Sequence, residues 1–303
     1  MKQSVKLFLL AVLFCACCTK AQDELASDPG SDDESIGLPE ETFGNGTNQA
    51  DTNRAGRIVK GSVVSISDYP YVATVITTAY GASSYSTGVA ISNTRVLTSV
   101  SNFLYASSIA VITVRVGSNY QDKEGTVFQT QNLTKHTQYD MASSANDVAV
   151  ITIQGTFNGV PNVQPIAVHT TELDPTTPNL ANCFLLGWGA TETFSTAINL
   201  KKADMKLITD AACSSKFPPN PPSVQCVQSV TGFGCTGDSG APFVCDNRLY
   251  GTFIFTTCNN MDAQATQKIA KLPSASIQSF LSPFLPVAKQ PRKNYMTCPC
   301  TTC

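Results

Sequence analysis

The sequence predicts an all-β protein with one helix near its C-terminal end. From Ile58 onward the chain reads as short runs rich in Val, Ile and Phe, such as RVLTSV, IAVITVRVG, NDVAVITI, CFLLGWG and LYGTFIF. Each is too short for a helix and suits a strand. Gly, Ser, Asn and Pro separate the runs, as turns require. Only SASIQSFLSPFL has helical spacing, with Ile277, Phe280 and Leu281 on one face. Periodicity alone leaves a β-barrel and a β-sandwich equally open.

The segment before Ile58 has a different character. Lys2 and Lys6 precede an apolar run from Leu7 to Cys18, and Thr19-Lys20-Ala21 fits a cleavage site. A run this short does not span a bilayer, so residues 1–21 read as a signal peptide. No later stretch reaches 18 apolar residues. A soluble, extracellular mature protein is therefore expected, with no membrane contact. Residues 22–57 contain nine acidic and two basic residues, a net charge of −7, with few aromatics and no cysteine. Such a composition buries too little apolar area to fold, and a disordered pro-segment is predicted. Residues 58–287 form the expected globular domain, and residues 288–303 a basic, cysteine-rich tail. From Ile58 the net charge is only +2, with no strong basic patch, which argues against nucleic acid as a partner. Asn45-Gly46-Thr47 and Asn132-Leu133-Thr134 are glycosylation sequons.

Twelve cysteines fit an oxidising compartment. Cys15, Cys17 and Cys18 belong to the signal segment. Cys183, Cys213, Cys226, Cys235, Cys245 and Cys258 form an even set of six. Cys298, Cys300 and Cys303 crowd the C-terminus, an odd trio open either to pairing with another chain or to a free or partly paired tail.

Five motifs occur in order along the domain. They are Arg57-Ile58-Val59-Lys60-Gly61, Val96-Leu97-Thr98, Asn146-Asp147-Val148-Ala149, Cys183 with Gly187-Trp188-Gly189, and CTGDSGAPFVC from Cys235 to Cys245. Together they resemble the chymotrypsin-like (S1) serine proteases from Ile58 to about Leu285. The resemblance implies a chymotrypsin-like double antiparallel β-barrel with a C-terminal helix and a cleft between the barrels. It implies the disulfides Cys183–Cys245, Cys213–Cys226 and Cys235–Cys258. The bridge beside the family's catalytic histidine would need cysteines where this chain has Ser86 and Asn102, which leaves the first barrel the less tightly tied half.

In such a triad a serine attacks, a histidine carries its proton, and an aspartate orients and stabilises the imidazole. The resemblance places Ser239 at the nucleophile and Asp147 at the aspartate. Where the family continues Ala-Ala-His-Cys, this chain reads Ser99-Val100-Ser101-Asn102, so Ser101 replaces the histidine. The chain's only histidines, His136 and His169, read as exposed loop residues. Serine accepts no proton near neutral pH, and Ser239 without a base is a weak nucleophile. Ile254 replaces a serine that supports the aspartate, so Asp147 is expected to be underpaired, with a raised pKa. Phe233 stands at the base of the specificity pocket, and Thr256 and Gln267 replace glycines of its wall, predicting a narrowed or filled pocket. Gly237 and Ser239 retain the oxyanion-hole positions. Asp238 matches the residue that pairs with the Ile58 amine once the chain is cleaved after Arg57.

These readings converge on a secreted, catalytically inactive serine protease homologue with no cofactor or metal, acting as a binding or regulatory protein. Its expected partners are proteins: proteases, zymogens or protease inhibitors. The role rests on family analogy, because a fold does not specify function. Two alternatives stand beside it: an active endopeptidase using an unanticipated base, and a disulfide-linked structural or secretory-fluid component joined through Cys298, Cys300 or Cys303.

Overall fold

The β-branched runs pair into two closed antiparallel barrels. The structure, a computed structural model, describes residues 58–177, 183–190, 199–254 and 265–286. All belong to the second of two units into which the chain divides, Asp51–Cys303. The expected signal, pro-segment and tail lie outside the described residues, as do Arg57, Thr256 and Cys258.

A two-residue strand, β1 (Ser62–Val63), precedes the first barrel. That barrel contains β2 (Val72–Ala79), β3 (Ala82–Ser92), β4 (Arg95–Thr98), β5 (Val111–Val116), β6 (Thr126–Lys135) and β7 (Ala149–Ile153). It closes in the order β2-β3-β4-β7-β6-β5. The second barrel contains β8 (Cys183–Gly187), β9 (Lys201–Leu207), β10 (Val224–Ser229), β11 (Pro242–Cys245), β12 (Arg248–Phe253) and β13 (Thr266–Lys271). Its order is β9-β10-β13-β12-β11-β8, closed by the β8–β9 pairing, and β1 adds to β9. Two-residue turns set three of the hairpin registers, at Ala79↔Ala82, Ser92↔Arg95 and Cys245↔Arg248. Asp246 and Asn247 both have positive φ between Cys245 and Arg248, a conformation that Asp and Asn tolerate well.

Each barrel has its own apolar interior, and a third cluster joins them. Val75, Val96, Val114 and Ile151 fill the first barrel. Leu185, Phe243, Tyr250, Phe253 and Ile269 fill the second. Leu97 and Val148 of the first barrel meet Leu186 and Trp188 of the second in the shared cluster. The catalytic-triad positions lie beside this seam, so barrel docking determines their separation.

The predicted helix spans Ala275–Leu281, with Ile277 and Leu281 fully buried and Phe280 partly so. A second helix, Asp210–Lys216, was not expected. Its sequence, DAACSSK, has no apolar stripe. Thr209 caps it by accepting from the Ala212 amide at 3.2 Å, and Cys213 anchors it through a bridge to Cys226. Cys183–Cys245 is also bridged, and Cys235 is disulfide-bonded as well.

By the chain-entropy rule, replacing both Cys183 and Cys245 by Ala should cost about 4 kcal/mol of unfolding free energy. The shorter Cys213–Cys226 loop should cost about 3 kcal/mol. Urea denaturation of the two double variants checks both the order and the magnitudes.

Candidate active site

Three local structures bring Ser101, Asp147 and Ser239 together. The end of β4 runs into a 3-10 turn, Val100–Phe103, which presents Ser101. Asp147 lies two residues before β7, and Ser239 lies in the turn between Cys235 and β11. Gly240 makes the close approach possible. Its φ is +84°, and a Cβ there would lie 2.3 Å from both the Thr87 carbonyl oxygen and Thr98 Oγ1.

Ser101 binds Asp147 twice. Its amide donates to Asp147 Oδ1 at 2.8 Å, and its hydroxyl to Oδ2 at 2.7 Å. Ser239 Oγ lies 3.4 Å from Ser101 Oγ. Because the single proton of Ser101 is committed to Asp147, Ser239 can only donate towards Ser101. The result is a hydroxyl chain that ends on a carboxylate, with no imidazole in it.

Asp147 is 1% exposed, and burial raises its pKa. The Ser101 amide and hydroxyl oppose the rise, followed by the Val100 amide and the Ser99 hydroxyl. The expected direction therefore holds, but the expected shortage of partners does not. Ile254 supplies no hydroxyl, and the residues around the turn do so instead. Ser101 is visible in the sequence, yet its role as donor depends on the turn folding over the carboxylate.

The absent bridge is likewise replaced by polar contacts. Asn102 Nδ2 donates to Thr98 Oγ1 at 2.9 Å and to the Ser239 carbonyl at 3.1 Å, strapping the nucleophile loop to the first barrel. Ser86 Oγ reaches only the Val75 carbonyl, at 3.5 Å.

Neither histidine is an exposed loop residue, which corrects that expectation. His136 is 6% exposed and packs on Phe280, with Nε2 3.2 Å from Ser276 Oγ. His169 is 7% exposed, with Nε2 3.0 Å from the Cys245 carbonyl and its ring edge-on to Tyr250. Both serve as hydrogen-bonded packing residues, and neither bonds to Ser239 or Asp147.

The two described residues expected at the specificity pocket, Phe233 and Gln267, are both buried. Phe233 is 2% exposed and pairs with Val59 through reciprocal backbone hydrogen bonds. Gln267, 1% exposed, accepts from the Gly234 amide at 2.8 Å and donates to the Gly234 carbonyl at 2.7 Å. This two-way lock fixes its side chain against the segment that carries Phe233. Gly237 has φ +95°, and the Gly237 and Ser239 amides donate to no described residue.

The remaining cleft holds about 450 Å³, lined by Tyr85, Tyr139, Met141, Ile254 and the three triad-position residues, among others. Tyr139 is held neutral, its pKa pushed up to about 12 by burial and then by the Asp147 charge. Lys268 donates to Ser144 Oγ at 3.0 Å, and burial lowers its pKa against the pull of Asp147. Neither Tyr139, which lines the cleft, nor Lys268, which bonds to the lining residue Ser144, was singled out by motif, because they come from separate elements.

Asp238 lies beneath the nucleophile turn, completely buried, accepting from the Gly189 amide at 2.8 Å and the Cys235 amide at 2.9 Å. Gly189 is required there, since a Cβ would sit 2.2 Å from Asp238 Oδ2. Ile58 is also fully buried, with its side chain in the second barrel's core. Burial pushes the Asp238 pKa up to about 7, against the two amides. The folded chain thus holds this proton more tightly than the unfolded chain, whose carboxyl titrates near 3.8. Stability from this group is full below about pH 4 and declines as pH rises towards about 7, by roughly 4 kcal/mol in all. Thermal melts of the uncleaved chain should fall across that window, and Asp238→Asn should flatten the fall. Asp147, raised in the same direction, should leave a residual slope of the same sign.

Comparison with known proteins agrees with this geometry. The Trypsin family model matches residues 58–272. Trypsin alpha-4 of Lucilia cuprina is 29% identical over 201 residues, covering 65% of this chain and 76% of that protein. Trypsin delta of Drosophila melanogaster is 26% identical over 202 residues, covering 65% and 77%. Among solved structures, the scabies mite inactivated protease paralogue S-D1 superposes with a TM-score of 0.64 at 16% identity, covering 75% of this chain and 97% of that one. A structure titled HL collagenase has the same TM-score at 22% identity, covering 75% and 98%. With two six-stranded barrels and a family match across both, the chain belongs to the trypsin family of chymotrypsin-like serine proteases.

Proposed function

We propose that this chain is a secreted trypsin-family protein that binds other proteins without cleaving them. One observation carries the reading. Ser101 stands between Asp147 and Ser239 where a base is needed, with its proton given to the carboxylate at 2.7 Å. A hydroxyl can relay a proton but cannot hold one near neutral pH, so Ser239 has no local acceptor. In a comparable triad, loss of the histidine alone costs about 10⁶ in kcat. The pocket positions point the same way: the side chains of Phe233 and Gln267 are buried within the protein. The solved structure of the scabies mite protein is titled an inactivated protease paralogue. The fly relatives are named trypsins, so family membership alone does not decide.

The remaining parts of the proposal concern processing. Residues 1–21 direct secretion, and cleavage after Arg57 frees the Ile58 amine to pair with Asp238. In this reading Asp238 and the GDSG turn serve fold and switching. Asn132 is an accepting site for a glycan: it is exposed on β6, and its Nδ2 donates to Thr134 Oγ1 at 3.1 Å. Partners are proteases, zymogens or inhibitors, and one of Cys298, Cys300 and Cys303 is the point of attachment to another chain through a disulfide.

A second reading has one contact in its favour. The 3.4 Å separation of Ser101 Oγ and Ser239 Oγ permits proton transfer through Ser101 to Asp147, whose raised pKa makes it a better base than an exposed carboxylate. The family's usual base would be absent, but hydrolysis would proceed slowly.

Chain cleaved after Arg57 should show no turnover of peptide libraries covering basic, aromatic and small residues. Ser101→His should gain only slow hydrolysis of small activated esters, because Gln267 and Phe233 still deny a substrate side chain its seat. Substrate orientation supplies about 7–11 kcal/mol of barrier reduction in such reactions. Efficient peptide turnover by the natural chain would establish the second reading. The same result confined to Ser101→His would show that the pocket opens.

A further inference from the structure

Another cavity lies between the first barrel and the stretch that follows the C-terminal helix. It holds about 530 Å³ and is lined by residues 92–95 at the turn from β3 to β4, by Pro165, and by residues 283–286. None of these residues lines the cleft at Ser239. Both walls are held in place. The Asn93 carbonyl accepts from the Phe157 amide at 2.8 Å and the Thr94 carbonyl from the Ile153 amide at 3.1 Å, which ties the turn to β7 and the residues after it. On the other side, the Phe284 amide donates to the Leu281 carbonyl at 2.8 Å, and the Phe284 and Leu285 side chains pack against the core shared by the barrels.

Arg95 is the only ionisable residue in this lining. A guanidinium carries several N–H donors and no acceptor. Among the described residues Arg95 uses one of them, with Nη1 donating to Thr94 Oγ1 at 2.7 Å. The ion pairs of the described residues do not include it. Its Nε is buried and has no hydrogen-bond partner. A buried donor left without an acceptor is uncommon, because its lost hydration is not offset. The segments that build the cavity offer no counter-charge. Arg95 pairs with Thr152 of β7, and residues 152–157, 160–168 and 272–286 contain no carboxylate and no further cation of Lys or Arg.

Nε and Nη2 share one edge of the guanidinium, and two parallel donors on that edge match the two oxygens of a carboxylate. The rest of the lining is unlike a site for a bare anion. Pro165, Pro283, Phe284, Leu285 and Pro286 make one side of it apolar. Cavities that bind small molecules combine such walls with a few polar anchors. We infer that this cavity binds a small monocarboxylic acid with an apolar chain, its carboxylate on Arg95 and its chain against Phe284, Leu285 and the prolines. The site is independent of the chemistry at Ser239 and stands whether or not the protein cleaves peptides.

The test is a titration of the full chain with octanoate, followed by the NMR signals of the Arg95 Nε–H and the Phe284 ring, with the Ser239 amide as a remote control. Octanoate should shift the first two together and leave the third in place. Octanamide keeps the chain without the charge, and acetate keeps the charge without the chain. Each should bind about tenfold more weakly or worse. Arg95→Gln should weaken octanoate binding by a similar factor, and Arg95→Lys should recover only part of it, because an ammonium lacks the two-donor edge. The octanamide comparison uses the natural chain, so it decides the matter even if Arg95→Gln fails to fold. Equal binding of octanoate and octanamide would overturn the inference, as would shifts that miss Arg95 or the absence of any shift. Acetate binding as tightly as octanoate would also overturn it, by showing a general anion site with no use for the apolar wall.

Discussion

The burial of the Asp147 carboxylate between two barrels is the constraint around which this site is organised. A carboxylate that is 1% exposed must be hydrogen-bonded or lose its charge. In an active triad an imidazole meets part of that need and holds a proton during the reaction. Here the turn after β4 meets it, with the Ser101 amide and hydroxyl at 2.8 and 2.7 Å. On the proposed reading, Ser101 satisfies the carboxylate while supplying no base, so that stability and chemistry separate at a single position.

The same separation recurs nearby. Asn102 stands where a disulfide cysteine would be, and it ties the Ser239 carbonyl to the first barrel through hydrogen bonds. Gln267, at a position expected in the pocket wall, closes its carboxamide onto the Gly234 peptide. On the proposed reading, a scaffold retained without its chemistry points to binding as its role.

Much of this was legible in the sequence because it is local. Short β-branched runs specify strands, and ordered motifs identify the loops that hold Ser101, Asp147 and Ser239. What was not legible depends on distance along the chain. His136 lies in the polar KHTQYD and His169 on the connection between the barrels, segments that read as exposed loops, yet Phe280 and Tyr250 cover them from elements more than 80 residues away. The donors to Asp147 could not be counted from its own segment, because the Ser101 amide and hydroxyl come from the turn after β4, a strand that pairs with β7 but lies far from it in sequence. The helix Asp210–Lys216 lacks an apolar stripe and is held instead by a cap and a bridge.

The central claim is that Ser239 has no base. Reaction with a fluorophosphonate tests it most directly, because capture needs an activated serine but no specificity pocket. Chain cleaved after Arg57 should remain unmodified at Ser239, by intact mass, over hours at pH 8, where a trypsin control is labelled completely. Stoichiometric labelling at Ser239, abolished by Ser101→Ala, would contradict the account and establish the hydroxyl relay to Asp147 as a working base.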